Sequence, residues 1–397
     1  MDQQQPLVTD PHAEIREEVG KLCARFPGEY WRRVDRDRAY PTEFVQALTE
    51  GGWLGALIPE EFGGAGLPLS AAAAILEEIH RSGGNAGACH AQMYIMGTIL
   101  KHGSPDQKKR YLPGIASGAL RLQAFGVTEP TSGTDTTALR TVAKRDGDRY
   151  IVNGQKIWTS RAEHSDLMLL LARTTPRGEV AKKTDGLSTF IVDMKAALGN
   201  GLTIRPIRTM MNHNTTEVFF DNMVVPAENL VGVEGKGFRY ILDGMNAERL
   251  LISSESIGDA KWFIRKAVDY SKERVLFGRP IGQNQGVQFP IAKAYAQMRA
   301  AEAVVKQGLA KFEAEAALRR GSQHGQDARG RRRLGRRRGL HPDPWWFRLR
   351  RGIRHRTQVP RGAALSGGAD QHQPDPVLYR RARARHAAEL LAWRRNR

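Results

Sequence analysis

The feature that most constrains this chain is a double change in the spacing of its apolar residues. Through residues 12–118 apolar side chains recur three and four positions apart, which predicts amphipathic helices. Between residues 122 and 231 they give way to short runs rich in β-branched and aromatic residues, which predict strands. The helical spacing returns from Gly237 to about Ala317. The order of helices, strands and helices predicts an α+β protein.

These changes divide the chain into four segments. We predict an N-terminal helical domain, a middle β domain built as a small barrel or sandwich, the first half of a C-terminal helical bundle, and a tail. Their predicted bounds are 1–121, 122–232, 233–317 and 318–397. Inside the middle domain, Asn153-Gly154 separates two strand-like runs and predicts a type I′ hairpin turn.

The positive charge of the chain is concentrated in the tail. The chain has 61 Lys and Arg against 42 Asp and Glu, a formal net charge of +19. Residues 321–397 contain 20 Arg and no Lys against five acidic residues, so most of the excess lies there. The rest of the chain is close to balanced, and charge alone therefore does not identify the whole molecule as a nucleic-acid-binding protein.

Cysteine usage and apolar run lengths exclude several other classes of protein. Cys23 and Cys89 are the only cysteines, so a disulfide framework and a cysteine zinc site are excluded, and we expect no metal centre. No apolar run approaches the roughly 18–20 residues of a membrane span. The N-terminal run MDQQQPLVTDPH lacks the basic and apolar regions of a secretory signal. We therefore expect a cytoplasmic protein.

The densest polar cluster before the tail lies where the first helices give way to strands. Residues 125–135 read FGVTEPTSGTD, in which Pro130 and Gly133 predict an irregular loop lined by hydroxyls and backbone N–H groups. Such a loop suits a phosphate or a planar ring rich in hydrogen-bond acceptors. Further along, the run 158–160 places an indole beside two hydroxyls at a strand end. Each motif alone is equally compatible with a turn and a core tryptophan.

Together and in this order, the two motifs resemble those of the acyl-CoA dehydrogenases. Residues 126–138 resemble the first signature pattern of that family, and Trp158-Thr159-Ser160 resembles its flavin-covering Trp-x-Ser/Thr motif. Other family-like runs are IPEEFGG at 58–64, HAQMY at 90–94, EVFFDNMVVP at 217–226 and ERVLFGRPIGQNQ at 273–285. The resemblance extends from about residue 10 to residue 317.

The resemblance implies a fold, a cofactor and a reaction. The fold would have an N-terminal helical domain, a middle β-barrel domain and a C-terminal four-helix bundle, assembled as a homotetramer. FAD would lie between the middle domain and the bundle. The reaction would convert an acyl-CoA thioester to the 2-enoyl-CoA, with a base removing the α-proton and a hydride passing to the flavin. Electrons would then pass to an electron-transferring flavoprotein.

The resemblance also implies roles for individual residues. Backbone N–H groups of Val127 and Thr128 would contact the flavin ring, and Trp158 would cover one face of it. Arg274 would meet the FAD pyrophosphate of a neighbouring subunit, although a solvated helix charge is the simpler interpretation of that residue alone. Thr134 falls where the family contacts the pantetheine of the substrate. The expected cofactor contacts are Phe125, Val127, Thr128, Thr134, Trp158, Thr159, Ser160, Arg274, Phe277 and Gln285.

The catalytic base is expected on the first long helix of the bundle. Many members of the family carry a Glu near the C-terminus in a Tyr-Glu-Gly-like run, which this chain lacks, whereas a minority carry it just before an Arg on this helix. Glu248 stands in that place and shares an apolar stripe with Met245 and Ile252, so its carboxylate would be partly desolvated. The residues alone also allow a helical Glu paired with a basic side chain. We predict Glu248 as the base, with Asn246 and Arg249 contacting the substrate.

The resemblance stops near residue 318. Two further helices and a His-Gly-Gly-Phe-Gly run should follow, but residues 331–338 read RRRLGRRR. One interpretation is a disordered basic arm that binds nucleic acid. The other is a frameshift near residues 314–321: the codons of Pro344-Trp345-Trp346-Phe347, read one base later, necessarily encode Gly-Gly and permit the missing run. We favour the frameshift, which would impair tetramer formation and FAD binding in the chain as encoded.

Three functions remain open from the sequence. The first is an FAD-dependent acyl-CoA dehydrogenase with an acyl-CoA substrate, an electron-transferring flavoprotein and further copies of the chain as partners. The second is a flavin-dependent monooxygenase or oxidase on the same fold. The third is an inactive body that carries a nucleic-acid-binding tail. We favour the first, and we expect neither a membrane nor a nucleic acid as a partner.

Overall fold

The computed structural model describes the backbone of residues 10–326 and the side chains of residues 10–316. The predictions made for the tail beyond residue 326 lie outside these described residues. Within them, the elements follow the predicted order of helices, strands and helices, so the α+β fold is confirmed. The bounds proposed for the domains, at residues 121, 232 and 317, stay predictions.

Six helices form the N-terminal part of the chain. They are α1 (Ala13–Ala24), α2 (Gly28–Arg36), α3 (Thr42–Glu50), α4 (Leu69–Arg81), α5 (Gly87–His102) and α6 (Pro105–Ser117). In α2 only Val34 is fully buried, and the partly buried Tyr30 and Trp31 pack against the core beside it. Ser104 starts α6 with a capping box that it forms with Gln107. Helix α4 is rich in alanine and almost wholly buried, so other helices can pack closely on it.

The middle part of the chain forms one eight-stranded sheet. Its strands are β1 (Leu122–Gly126), β2 (Val142–Asp146), β3 (Arg149–Ser160), β4 (Leu167–Arg173), β5 (Leu187–Asp193), β6 (Leu202–Pro206), β7 (Thr215–Pro226) and β8 (Leu230–Val231), with helix α7 (Met194–Ala197) after β5. The order across the sheet is β6-β7-β3-β2-β4-β5-β8, and β1 pairs in parallel with β4. Residues of β1 and β3 border the loop that the sequence identifies as a flavin site.

The hairpin predicted at Asn153-Gly154 is wrong. Strand β3 continues through both residues and pairs with β7, with an irregular register between Val152 and Gly154. The Asn153 side chain accepts a hydrogen bond from the backbone N–H of Asn222 at 2.8 Å, so the Asn-Gly pair accommodates a bulge between two long strands. The turn that joins β2 and β3 lies at Gly147-Asp148, where Gly147 has a φ of 61°.

Two long helices follow the sheet. Helix α8 (Gly237–Glu273) and helix α9 (Gln285–Gln326) are joined through a small hairpin of β9 (Val275–Leu276) and β10 (Arg279–Pro280). Helix α9 continues past the predicted boundary at residue 317. Within residues 10–326, no helix combines the length and the apolar character that crossing a membrane requires.

Two glycines allow α8 to approach α4 and α5 closely. A Cβ at Gly258 would lie 2.3 Å from the backbone oxygen of Glu77 in α4, and a Cβ at Gly244 would lie 2.9 Å from the hydroxyl of Thr98 in α5. Only glycine leaves room for these contacts. The close approach brings the carboxylates of α8 against the histidines of α4 and α5.

Candidate active site

A buried ion pair fastens the polar loop after β1 to strand β3. Lys156 Nζ lies 2.8 Å from Glu129 Oε1, and both side chains are buried. Glu129 also accepts hydrogen bonds from the backbone N–H groups of Arg140 at 2.6 Å and Thr141 at 2.8 Å. Burial lowers the pKa of Lys156 to about 8 although Glu129 opposes that shift. Burial alone would raise the pKa of Glu129, but Lys156 and the hydrogen bonds bring it below its ordinary value.

The same anchor orients the peptide groups predicted to contact the flavin. Lys156 Nζ donates to the carbonyl of Val127 at 3.1 Å, and the backbone N–H of Ile157 donates to the carbonyl of Thr128 at 2.9 Å. The C=O and N–H of one planar peptide unit point in opposite directions. The N–H of Thr128 shares a unit with the carbonyl of Val127 and therefore points away from Lys156.

Trp158 stands out of strand β3 at a second irregularity. The register with β7 shifts between Ile157 and Thr159, so Trp158 is the additional residue of a bulge. Its φ of 62° lies in the left-handed region, which is unusual for a large side chain. The bulge leaves 56% of the indole residue exposed. A strained backbone that presents a large apolar ring to solvent is typical of a binding site.

The two hydroxyl residues after Trp158 supply polar groups at the same bulge. Ser160 Oγ lies 3.3 Å from Thr215 Oγ1. The backbone carbonyl of Thr159 accepts from the hydroxyl of Thr216 at 2.7 Å, whereas the hydroxyl of Thr159 is buried and has no hydrogen-bond partner among the described residues. A buried hydroxyl left without a partner costs on the order of 1–3 kcal/mol. An exposed indole beside this hydroxyl fits a planar polar cofactor such as FAD.

Apolar contacts connect the loop to the helix that carries the predicted base. The rings of Phe125 and Tyr94 meet edge to face at 5.4 Å between centroids. Val127 belongs to a small apolar cluster against which Phe125 and Met245 pack. Met245 lies three residues before Glu248 on α8, which places the two on one face of the helix. The fold therefore brings the loop near the stripe that contains Glu248.

The environment of Glu248 is partly desolvated, as the sequence predicts. Its side chain is 22% exposed, and its Oε1 lies 3.9 Å from Nε2 of His90 on α5. Burial, and next the charge of Glu248, raise the pKa of Tyr94. The following Arg249 donates to Asn246 Oδ1 at 2.7 Å, and Asn246 is exposed. These two polar side chains flank Glu248 in the sequence of the helix.

The remaining predicted contacts lie away from this cluster in the same protomer. Arg274 follows the last residue of α8, so it is about 39 Å along the helix from Glu248. Arg274, Phe277 and Gln285 are all exposed, and the φ of Phe277 is 52°. Phe277 is therefore not part of the core. Thr134 is exposed on the outer part of the polar loop.

Sequence reasoning assigned no role to several polar residues around this site. Glu129 lies inside the motif of residues 125–135 and Lys156 lies two residues before Trp158, but nothing in the sequence indicates that the two form an ion pair. His90 and Glu255 are 165 positions apart in the chain, but His90 Nδ1 lies 2.7 Å from Glu255 Oε1. The apolar spacing within one helix could not have predicted this contact, since it depends on the packing of α5 against α8.

Comparison with known proteins supports the same interpretation. Residues 9–119 match the model of the acyl-CoA dehydrogenase N-terminal domain, residues 124–223 that of the middle domain, and residues 235–324 that of the C-terminal domain. The chain belongs to the acyl-CoA dehydrogenase family. The chain is accordingly an oxidoreductase of a family of FAD flavoproteins.

Individual relatives agree with this assignment. The chain is 31% identical over 312 residues to the cyclohex-1-ene-1-carbonyl-CoA dehydrogenase of Syntrophus aciditrophicus (strain SB), covering 78% of this chain and 74% of that protein. It is similar to the structure of butyryl-CoA dehydrogenase from Megasphaera elsdenii, with a TM-score of 0.69, 28% identity and coverage of 78% and 81%. A chain in a structural study of the electron-transferring flavoprotein of Acidaminococcus fermentans is also similar, with a TM-score of 0.71, 30% identity and coverage of 79% and 81%.

Proposed function

We propose that this chain converts an acyl-CoA thioester to the 2-enoyl-CoA with Glu248 as the base. The observation that carries the proposal is the position of Glu248, a partly buried carboxylate on the helix face that packs against the flavin-type loop. Bound FAD would supply the hydride acceptor that the reaction requires. The carboxylate of Glu248 would remove the α-proton, whose acidity depends on the neighbouring thioester carbonyl.

The loop and the bulge of β3 would hold the cofactor. The oriented N–H of Thr128, together with that of Val127, would donate to the electron-accepting edge of the ring system, where negative charge develops. Trp158 would cover the ring and exclude water, and the unpartnered hydroxyl of Thr159 would find an acceptor there, beside Ser160. Phe125 would pack under the same region. The anchor formed by Lys156 fixes these groups before the reaction begins, so little reorganisation is needed.

The substrate would enter past the polar residues next to the base. Arg249 and Asn246, which are one helical turn apart and flank Glu248 in the sequence, form a hydrogen-bonded pair and would contact the acyl-CoA. Thr134, exposed on the polar loop, would contact its pantetheine arm. These groups orient the thioester so that the α-carbon meets the carboxylate.

A second copy of the chain would complete the cofactor site in a homotetramer. Arg274, Phe277 and Gln285 are exposed at the far end of α8, where they are too distant from Glu248 to serve the same protomer. A guanidinium suits a pyrophosphate because it donates in a bidentate fashion. We further propose that an electron-transferring flavoprotein reoxidises the enzyme.

Anaerobic reduction of the FAD-loaded chain tests this function. A series of saturated acyl-CoA thioesters is added in the absence of oxygen, and the flavin absorbance and the thioester products are followed. We expect loss of the flavin absorbance together with formation of one 2-enoyl-CoA per flavin, and reoxidation by an added electron-transferring flavoprotein. A chain with the reading frame restored that binds no FAD, or a loaded chain that requires oxygen and yields a hydroxylated product, contradicts the proposal.

A further inference from the structure

A buried carboxylate on α8 has no role in the function proposed above. Glu255 lies two helical turns after Glu248, and its side chain is 8% exposed. Burial alone would raise the pKa of this carboxyl, but the charge of His90 and the hydrogen bond from it help to lower the pKa to about 2. Glu255 is therefore ionised in the folded protein. A buried charge of this kind is expensive unless a partner compensates it.

His90 is that partner, and its orientation is fixed by the contact. Its Nδ1 lies 2.7 Å from Glu255 Oε1. An ionised carboxylate only accepts hydrogen bonds, so Nδ1 of His90 carries a proton and donates it. Holding the ring through Nδ1 turns Nε2 toward Glu248, whose Oε1 is 3.9 Å away. The imidazole of His90 thus lies between the buried carboxylate and the predicted base.

The second histidine beside Glu255 has a different arrangement. His80 Nδ1 lies 2.9 Å from Asp259 Oδ1, and its Nε2 accepts the backbone N–H of Ala86 at 3.2 Å. Because Nε2 of His80 accepts a hydrogen bond, it has no proton to offer Glu255 across their 3.8 Å separation. Of the two histidines, His90 alone can both donate to Glu255 and face Glu248.

Three other charged or titratable groups border the pair. The buried guanidinium of Arg161, in the segment after β3, acts on the charge of Glu255. The ring of Tyr94 meets the ring of His90 at 5.3 Å between centroids. His80 contributes from α4. The contact of Nε2 of His90 with the carboxylate of Glu248 is the one ion pair found for Glu248 among the described residues.

We propose that His90, oriented by Glu255, is the positioning residue of the base Glu248. His90 donates to Glu255 through Nδ1, and a small side-chain rotation that shortens the 3.9 Å separation would let its Nε2 side bond to one oxygen of Glu248. This bond holds the other carboxylate oxygen toward the α-proton of the thioester. The inference rests on the proposed function, because it assigns Glu248 the role of base.

Replacement of His90 separates a positioning role from a structural one. His90→Ala and Glu255→Gln are compared with His102→Asn, a control in which Nε2 of the original histidine lies 2.8 Å from Asp243 Oδ2 across the same two helices. Flavin reduction is followed anaerobically with acyl-CoA deuterated at the α- or the β-carbon. If His90→Ala does not fold, the test relies on Glu255→Gln and His90→Gln, because in both variants the new side chain has nearly the volume of the original one.

We expect His90→Ala to lower the limiting rate of flavin reduction by about 10–100-fold while the Kd of the acyl-CoA changes less than about twofold. The isotope effect of α-deuteration should rise and that of β-deuteration should not, because only proton removal is slowed. His90→Gln, which keeps an N–H donor, should recover part of the rate. His102→Asn should show wild-type rates and isotope effects, even if it lowers the stability of the protein.

Equal rates and isotope effects in His90→Ala, Glu255→Gln and His102→Asn would overturn the inference and leave His90 a structural residue. Glu248→Gln, measured in parallel, separates this failure from that of the proposed function. If Glu248→Gln reduces its flavin at the wild-type rate, the base assignment itself is wrong. If Glu248→Gln is inactive while His90→Ala is unaffected, only the positioning role is wrong.

Discussion

Lys156 Nζ lies 2.8 Å from Glu129 Oε1 in the interior of the protein, at the point where strand β3 meets the polar loop after β1. The pair also holds the carbonyl of Val127, so a single buried contact fixes the peptide groups that face the proposed flavin site. Loss of this ion pair should therefore reduce the stability of the fold and also disturb the geometry of the proposed cofactor site.

Breaking this ion pair on one side should destabilise the protein strongly. Lys156→Met leaves Glu129 as an uncompensated buried charge, and the free energy of unfolding should fall by about 3–5 kcal/mol. FAD affinity should fall with it, since the loop loses its anchor. Urea unfolding and FAD titration measure both effects.

The double variant Glu129→Gln/Lys156→Met should regain part of the lost stability, because it removes both charges. Arg149→Met is the matched control: it breaks the exposed pair of Arg149 and Asp146 and should change the unfolding free energy by less than about 1 kcal/mol. Equal losses of unfolding free energy in Lys156→Met and Arg149→Met would show that the buried ion pair stabilises the fold no more than the exposed one.

Glu255 should make the stability of the protein dependent on pH in the acid range. Its folded pKa of about 2 lies below the ordinary carboxyl value, so the folded state binds protons less readily than the unfolded state. The stabilisation is complete above the ordinary value of 4.5 and is lost as pH falls toward 2. The difference in unfolding free energy between wild type and Glu255→Gln should therefore shrink between pH 6 and the lowest pH at which both fold. A constant difference over that range would contradict the assignment.

Replacing Trp158 should affect the stability of the fold and the protection of the flavin from oxygen in different ways, because its backbone is strained. Trp158→Gly relieves the left-handed conformation, so the unfolding free energy of the FAD-free chain should stay equal or rise by up to about 1 kcal/mol. The same variant loses the indole, and its reduced flavin should react faster with oxygen than that of the wild type. Trp158→Phe keeps an aromatic cover and serves as the control. Unchanged oxygen reactivity in Trp158→Gly would show that this residue does not cover the flavin.

The close approach of α8 to α4 should depend on Gly258. In Gly258→Ala the new Cβ meets the backbone oxygen of Glu77, and the helices must separate at a cost of about 1–3 kcal/mol. Gly97→Ala, in helix α5 where an added Cβ meets no atom within 4 Å, should be neutral or stabilising. Thermal unfolding of both variants checks the difference, and an equally mild effect at Gly258 would contradict the packing.

The proposed frameshift predicts the nucleotide sequence of the gene. The match to the C-terminal family model ends at residue 324, close to the point where the sequence becomes rich in Arg. Independent resequencing across codons 310–325, together with a search for the restored frame downstream, should find one base too many or too few. An intact frame confirmed to the last codon would contradict the hypothesis.

The sequence predicted much of the fold because apolar spacing reports directly on which face of an element is buried. It failed at Asn153-Gly154, where a local turn signal was overridden by pairing of β3 with β7 over the full length of both strands. The candidate base could be predicted because the family resemblance points to the position just before Arg249, and Glu248 there lies on an apolar stripe of its own helix. The nearby His90 could not be predicted, since the contact between His90 and Glu248 arises only when α5 packs against α8.

Single-turnover reduction of the flavin in Glu248→Gln tests the central claim most directly. The substitution keeps the volume and hydrogen-bonding capacity of the side chain but removes its ability to accept the α-proton. We predict that the FAD-loaded variant binds acyl-CoA with near wild-type affinity and that its flavin absorbance persists under anaerobic conditions. Flavin reduction at the wild-type rate in this variant would contradict the account.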